Sequence, residues 1–127
     1  MRDVDVTTKQ GKFQQTILIG AHTLTGDEAK ESGGEDAGPA PHELLLAALG
    51  TCTSMTVKMY ADRKGWPLQR VHVHVSMEKY ETGTVLKRKI ELTGDLDAEQ
   101  RARLLEIAGK CPVHKTLSGK IDLPIES

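Results

Sequence analysis

The chain contains two cysteines, Cys52 and Cys111, and their thiols are its strongest candidates for chemistry. Cys111 directly precedes Pro112, a residue that can open a helix but cannot continue one. This order predicts Cys111 at the N-cap of a short helix, where free N–H groups and the helix dipole lower a thiol pKa. Cys52 falls within an apolar helical pattern, which is typical of an inert, buried thiol. The residues alone therefore favour Cys111 as the more reactive thiol.

A zinc site is one alternative for this region. Cys111 and His114 form a C-x-x-H pair, and His72 and His74 would share one face of a strand. Zinc needs three or four protein ligands in a tetrahedral arrangement. Pro112 interrupts the pair, and neither cysteine has a second cysteine nearby to form a CxxC ligand pair. We therefore expect no metal, and His72 and His74 are predicted to be solvated polar residues.

A redox pair is the other chemical alternative. No GxSxG, Walker or Rossmann pattern is present in the sequence. In a two-cysteine peroxidase, an accessible thiolate is oxidised to a sulfenic acid, and a resolving thiol converts it to a disulfide. An external dithiol then reduces the disulfide. Such a cycle requires no metal or organic cofactor.

The composition predicts one soluble, cytoplasmic domain over residues 1–127. The chain is 38% apolar, and its 17 basic and 18 acidic residues leave a net charge of -1. This balance leaves no excess of positive charge that would bind nucleic acid or an anionic membrane. No secretory signal is visible, and no apolar run approaches the roughly 20 residues of a membrane span. The basic run Lys87, Arg88 and Lys89 is interpreted as solubilising charge split between two strand faces.

Three features surround the first cysteine. Loose alternation over the first 25 residues predicts two or three short strands in a half-exposed sheet. Residues 26–40 are rich in glycine and acids, which predicts a mobile surface loop that could border a site. A long helix is predicted from Pro41 to Lys64, with an apolar stripe on one side. The stripe consists of Leu45, Leu49, Cys52, Thr56 and Met59.

The second half of the chain predicts a hairpin, two helices and a closing strand. Two runs alternate between apolar and polar residues, as strands with one buried face do. Asp97 and Gln100 resemble a capping box that opens a helix, and Pro124 suits an edge strand. The predicted elements are a strand over VHVHVSMEKY at 71–80, a turn at 81–83, a second strand that includes residues 86–92, helices at 97–110 and 112–117, and a strand at 121–126. Together with the first half, they predict an α+β fold.

The long helix also predicts a partner subunit. Apolar and small residues lie beside the main stripe, so this helix needs more cover than one small sheet offers. These additional residues are Leu44, Leu46, Ala47 and Ala48. We expect a homodimer in which a second copy covers them.

Two segments carry a resemblance to a known family. They are GPAPHELLLAALGTCTSMTVKMYADRKGW at 38–66 and CPVHKTLSG at 111–119. Together they closely resemble the OsmC/Ohr family of osmotically inducible and organic hydroperoxide resistance proteins, and the order of elements matches along essentially the whole chain. The resemblance implies an OsmC-like fold with two small β-sheets around long central helices. It also implies an intertwined homodimer with a thiol peroxidase site at the subunit interface.

The same resemblance implies roles for both cysteines. Cys52 would be the peroxidatic cysteine and Cys111 the resolving one. This assignment differs from the interpretation based on the residues alone, which favours Cys111 as the more acidic thiol. Burial beside a second subunit would change the environment of Cys52, and we follow the resemblance.

The helper residues of the family are not in their usual places. Family peroxidases hold the thiolate with an arginine of the N-terminal strand region, paired with a glutamate directly after the helix-opening proline. Residues 3–40 contain no arginine, and His42 follows Pro41, with Glu43 one place later. An offset of one residue rotates a helical side chain by about 100°. His42 and Glu43 are the candidate helpers, Lys30 or a residue of a partner subunit are alternatives, and the departures indicate a divergent branch.

The resemblance therefore predicts a cysteine-based peroxidase that reduces organic hydroperoxides in oxidative stress defence. The apolar residues Leu45, Leu49 and Met55 favour small hydrophobic hydroperoxides over hydrogen peroxide. Cys52 and Cys111 would form a disulfide, and a dithiol reductant would restore both thiols. The alternative is a non-enzymatic OsmC-like dimer that binds a small apolar ligand at the subunit interface, with both cysteines lining the site.

Overall fold

The computed structural model describes all 127 residues and divides into two compact units, Met1–Leu45 and Leu46–Ser127. The predicted α+β class with two small sheets and one long helix is confirmed. The strands are β1 (Asp5–Thr8), β2 (Gln15–Ile19), β3 (His22–Gly26), β4 (Leu68–Tyr80) and β5 (Gly83–Gly94). The α-helices are α1 (Pro41–Lys64), α2 (Ala98–Ala108) and α3 (Pro112–Ser118), and a single 3₁₀ turn spans Lys30–Ser32.

The first unit contains an antiparallel sheet in the order β1-β2-β3. Ile17 of β2 lies opposite Val6 of β1 and Leu24 of β3. Val6 and Leu24 remain exposed, so this sheet is only partly covered within the chain. The prediction of short, half-exposed strands is confirmed.

Asp27 organises the loop that follows β3. Its buried carboxylate accepts hydrogen bonds from the backbone N–H groups of Glu28 at 2.8 Å, Glu35 at 3.2 Å and Ala37 at 3.0 Å. The bond from Ala37 is the largest cause that holds the pKa of Asp27 below its ordinary value, although burial opposes it. Residues 26–40 form a surface loop, as their composition predicts, with a single 3₁₀ turn, and one carboxylate satisfies three of its backbone donors.

The second unit is built on the predicted hairpin of β4 and β5, which turns between Tyr80 and Gly83. Val73 lies opposite Ile90, and both are half-buried on the face that packs towards the helices. Their neighbours at alternate positions share that face, as the period of two predicts. The hairpin thus gives the second unit one largely apolar face.

The buried side of α1 differs from the predicted stripe. Residues at every fourth position are buried, namely Leu49, Thr53, Val57 and Ala61. Of the predicted stripe only Leu49 is buried, whereas Leu45 and Met59 are 36% and 51% exposed. The prediction was wrong because α1 carries apolar residues on all sides, so their spacing does not select one face.

The α1 helix is also long and apolar enough to cross a membrane, judged by length and composition only. The expectation that no such stretch exists is therefore wrong. In the structure, Val57 and Ala61 of α1 form the core of the second unit with Leu68, Leu104 and Ala108. This packing makes α1 a core helix of the second unit.

The C-terminal elements begin as predicted and end differently. The capping box is present, because Asp97 accepts from the Gln100 N–H and the Gln100 side chain accepts from the Asp97 N–H. The strand predicted at 121–126 is absent, and this segment has no regular structure. Its alternating apolar residues Leu123 and Ile125 are 83% and 97% exposed. No strand edge of the second unit pairs with this segment, which explains why the alternation alone does not produce a strand.

The two tyrosines of the chain lie in opposite electrostatic environments. Tyr60 accepts a hydrogen bond from Arg103 Nε at 3.1 Å, and this bond lowers the pKa of Tyr60. Tyr80 donates a hydrogen bond to the carboxylate of Glu78, and this bond raises the pKa of Tyr80. The two phenols should therefore ionise at different pH values.

Candidate functional site

The start of α3 brings the two cysteines together. The backbone N–H of Val113 lies 3.5 Å from the Sγ of Cys52, which comes from α1. The next N–H along the chain, that of His114, lies 3.3 Å from the Sγ of Cys111. Both cysteines are free thiols. The consecutive N–H groups of Val113 and His114 thus donate to the sulfur atoms of Cys52 and Cys111, respectively.

The local sequence explains this geometry. Cys111 has extended backbone angles, φ -67° and ψ 143°, and its side chain caps α3, as the order Cys-Pro predicts. Pro112 occupies the first turn, where a proline sacrifices no helical hydrogen bond. The predicted N-cap position of Cys111 is confirmed.

The two thiols differ in accessibility. Cys111 is fully buried, with 0% exposure, whereas Cys52 is only half-buried. Cys52 is therefore the more accessible residue of the pair. Cys111 is placed to react with a neighbouring group inside the protein.

Arg88 of β5 supplies a cation to this site. Its Nη1 donates to the hydroxyl of Thr53 at 2.8 Å and to the carbonyl of Ala108 at 3.2 Å. Its Nη2 lies 2.6 Å from Nδ1 of His114, and because a guanidinium can only donate, Nδ1 is the acceptor. The Thr53 hydroxyl in turn lies 3.6 Å from the Sγ of Cys111. One arginine thus connects three elements beside the buried thiol.

This environment favours the thiolate of Cys111. Burial is the largest single influence and raises the pKa of the thiol. Hydrogen bonds from the His114 N–H, from Thr53 and from Cys52 lower it, and so does the charge of Arg88. Together they outweigh burial, and the pKa of Cys111 lies below its ordinary value.

The family model for OsmC-like proteins matches residues 33–126, which include both cysteines and their hydrogen-bond partners Thr53, Val113 and His114. The chain belongs to the OsmC-like protein family. No curated protein sequence matches it.

Solved structures show the same fold at low sequence identity. The OsmC-like protein of Mycoplasma pneumoniae is 19% identical with a TM-score of 0.78, over 94% of this chain and 88% of that one. An organic hydroperoxide resistance protein OsmC of Legionella pneumophila is 20% identical, with a TM-score of 0.68 and coverages of 96% and 92%. The organic hydroperoxide resistance protein OhrB of Bacillus subtilis is 21% identical, with a TM-score of 0.64 and coverages of 96% and 93%. At such identities the likeness establishes the fold of this OsmC-like protein.

Arg88 is the site residue that the sequence interpretation missed. The prediction that the basic run is solubilising charge holds for the exposed Lys87 and Lys89 but is wrong for Arg88. Arg88 is half-buried at the same strand register as Leu86 and Ile90. A charged residue within an apolar alternation needs a buried partner, and this pattern could have identified it.

The predicted helpers His42 and Glu43 lie in the first unit, at the start of α1. Glu43 accepts a hydrogen bond from the backbone N–H of Ala40 at 2.8 Å, so its side chain reaches back to the residue that precedes the helix. His42 is exposed. Roles for either residue in activating Cys52 remain predictions.

The second unit also contains two exposed histidines on β4 and an open groove. His72 and His74 are exposed on β4, opposite Glu91 and Lys89 of β5. The groove, with a volume of about 520 Å³, lies between α1 and β4. Its lining consists of Leu46, Ala47, Gly50, Thr51, Ser54, Met55, Val73 and Val75.

Proposed function

We propose that this OsmC-like protein is a two-cysteine thiol peroxidase that reduces organic hydroperoxides. The observation that supports it most strongly is the pairing of a half-buried Cys52 with a fully buried Cys111 at the start of α3. A peroxidatic thiol must be accessible and a resolving thiol must be adjacent. The difference in burial supports Cys52 in the first role and Cys111 in the second.

The proposed cycle has three steps. The thiolate of Cys52 attacks one peroxide oxygen; the S–O bond forms as the O–O bond breaks, and the alkoxide leaves as alcohol after taking a proton. The sulfur of Cys111 then attacks the sulfenic acid of Cys52, which forms the disulfide and releases water. An external dithiol reduces the disulfide by thiol–disulfide exchange. Two free thiols are suited to a reducing compartment, and we place the cycle in the cytoplasm.

The N–H group of Val113 supports the first role for Cys52. It is directed at the Cys52 sulfur, where it can stabilise negative charge on the thiolate. The groove contains Thr51, which precedes Cys52, and apolar side chains such as Met55 and Val73. Such a lining favours a peroxide with an apolar substituent over hydrogen peroxide.

We also propose that the protein is a homodimer. Met55 is 57% exposed in the groove, and the C-terminal residues Leu123 and Ile125 are almost fully exposed. Apolar surfaces of this kind mark a contact with another chain. A second copy would cover the groove of α1 and offer a strand edge to residues 121–126.

Steady-state consumption of cumene hydroperoxide with a dithiol reductant tests the proposed function. The wild type should turn over many equivalents, and Cys52→Ser should show no activity. Cys111→Ser should accumulate a trapped sulfenic acid on Cys52. Equal consumption by the wild type and Cys52→Ser would contradict the proposal.

A non-enzymatic binding protein is the alternative, supported by the apolar groove and by the absence of arginine in residues 3–40. It predicts that both free thiols survive peroxide and that Met55→Glu weakens binding of an apolar dye. Peroxide-dependent loss of the thiol of Cys52 would contradict this alternative.

A further inference from the structure

The guanidinium of Arg88 is directed inward, and this orientation requires an explanation. Burying a cation is costly unless other groups neutralise or bind it. No carboxylate pairs with Arg88 by ion-pair distance in this structure. Its partners are instead the neutral oxygens of Thr53 and Ala108 and the neutral Nδ1 of His114. The positive charge is therefore left to be balanced by an anion nearby.

The sulfur of Cys111 is the group that can become this anion. We propose that Arg88 is a positioning residue that holds Cys111 as a thiolate, so that Cys111 is ready for the resolving step. This inference rests on the proposed two-cysteine function. It concerns the second step of the cycle, whereas the arginine that the family resemblance implies would act on the attacking thiol of the first.

The Thr53 hydroxyl lies between Arg88 and the Cys111 sulfur and forms a hydrogen-bond connection between them. The Thr53 hydroxyl has one hydrogen and two possible acceptors, the carbonyl of Leu49 at 2.7 Å and the Sγ of Cys111 at 3.6 Å. Its oxygen already accepts from Arg88, which polarises the hydroxyl. A thiolate at Cys111 attracts that hydrogen more strongly than a thiol does. The polarised hydroxyl of Thr53 therefore helps Arg88 to stabilise a thiolate at Cys111.

The groups that face the Cys111 sulfur come from every neighbouring element. Cys52 and Thr53 belong to α1, Arg88 belongs to β5 and the N–H of His114 belongs to α3. Arg88 is the cation of this set, and Cys52 is the other titratable group that hydrogen-bonds to the sulfur. Removal of the arginine charge should therefore affect Cys111 directly.

The thiolate matters because it is the nucleophile of the resolving step. The sulfur of Cys111 forms the S–S bond as the S–O bond of the Cys52 sulfenic acid breaks. Hydroxide leaves and takes a proton from solvent to give water. Cys111 is oxidised, the sulfenic sulfur is reduced, and no further oxidant is consumed.

Rapid mixing with one equivalent of cumene hydroperoxide tests this inference. Samples quenched with dimedone report the sulfenic acid of Cys52, and samples quenched with acid report the disulfide. Arg88→Met should slow the second step, followed from the sulfenic acid already formed, about tenfold or more, the value of one charge-assisted hydrogen bond. Lys89→Met removes the same charge from the exposed neighbouring position and should change neither step. Unchanged disulfide formation in Arg88→Met would overturn the inference.

Titration of the Cys111 thiolate by ultraviolet absorbance gives a second readout that needs no peroxide. In a Cys52→Ser background, Arg88→Met should move the titration of Cys111 to higher pH, and Arg88→Lys should restore part of the shift. If the Arg88→Met protein does not fold, the titration of Cys111 in Thr53→Val tests the inference instead. This variant removes only the hydroxyl between Arg88 and the Cys111 sulfur. If the wild type forms no disulfide, the proposed function is wrong, and this titration still decides the role of Arg88. If the Cys111 thiolate titrated at the same pH in the Cys52→Ser protein and in all these variants, the proposed role of Arg88 would be overturned.

Discussion

Replacement of Thr53 by valine tests the site through a nearly isosteric change. Thr53 is fully buried, with 0% exposure, and its hydroxyl accepts from the guanidinium of Arg88 at 2.8 Å. The loss of a hydrogen bond to a charged donor costs about 1.5–3 kcal/mol. The added methyl group of valine recovers about 0.8 kcal/mol by burial. We therefore expect Thr53→Val to lower the free energy of unfolding by about 1–2 kcal/mol.

Thr53→Val should also change the titration of Cys111. Without the hydroxyl, its sulfur loses one donor and its connection to the arginine charge. The thiolate absorbance of Cys111 should therefore develop at a higher pH in Thr53→Val than in the wild type. This shift is measured on the folded protein, separately from the free energy of unfolding.

Urea unfolding and thiolate titration of the reduced protein measure the two effects. Thr53→Ser is the matched control, because it keeps the hydroxyl and loses a buried methyl group worth about 1 kcal/mol. It should be destabilised and keep the titration of the wild type. Thr56→Val, at a half-buried position of α1 with no hydrogen bond to Arg88 or Cys111, should keep that titration too. A wild-type titration in Thr53→Val would refute the proposed hydrogen-bond connection.

Three further predictions follow from the fold. The free energy of unfolding of the reduced wild type, relative to that of Cys111→Ser, should rise as the pH approaches 9.0, the ordinary pKa of a thiol. In this pH range the Cys111 thiol is deprotonated in the folded protein and still protonated in the unfolded chain. This stabilisation is complete above 9.0 and lost as the pH falls through the lower folded pKa, so a flat difference would contradict it. Ultraviolet titration should show Tyr60 ionising below 10.0 and Tyr80 above it, in two steps rather than one. Met55→Glu should convert a sedimenting dimer into a monomer of 13.9 kDa, and an unchanged dimer would argue against the groove as the contact surface.

The sequence predicts the local features of this protein well. Pro112 and the capping pair Asp97 and Gln100 fix the starts of α3 and α2, because each rests on groups close together in the chain. The hairpin follows from strict alternation in the same way. The N-cap position of Cys111, and hence the first thiol of the site, could be predicted from its neighbours alone.

Features that depend on distant packing could not be predicted as well. The buried side of α1 is selected by the hairpin and α2, since apolar residues surround the helix. The strand expected at 121–126 lacks a partner edge in this chain, and alternation cannot supply one. The register of Arg88 matches that of Ile90, so alternation indicates that its side chain faces inward, but its partners there are distant in the sequence. Only the folded chain brings the guanidinium to Thr53 and His114.

The mass of the protein after one equivalent of cumene hydroperoxide tests the central claim most directly. The wild type should lose two hydrogens, and trypsin should release a disulfide-linked pair of peptides, residues 31–58 with Cys52 and residues 111–115 with Cys111. Cys111→Ser should carry a trapped sulfenic acid, and Cys52→Ser should be unchanged. Free thiols on both cysteines of the wild type after exposure would contradict the two-cysteine cycle.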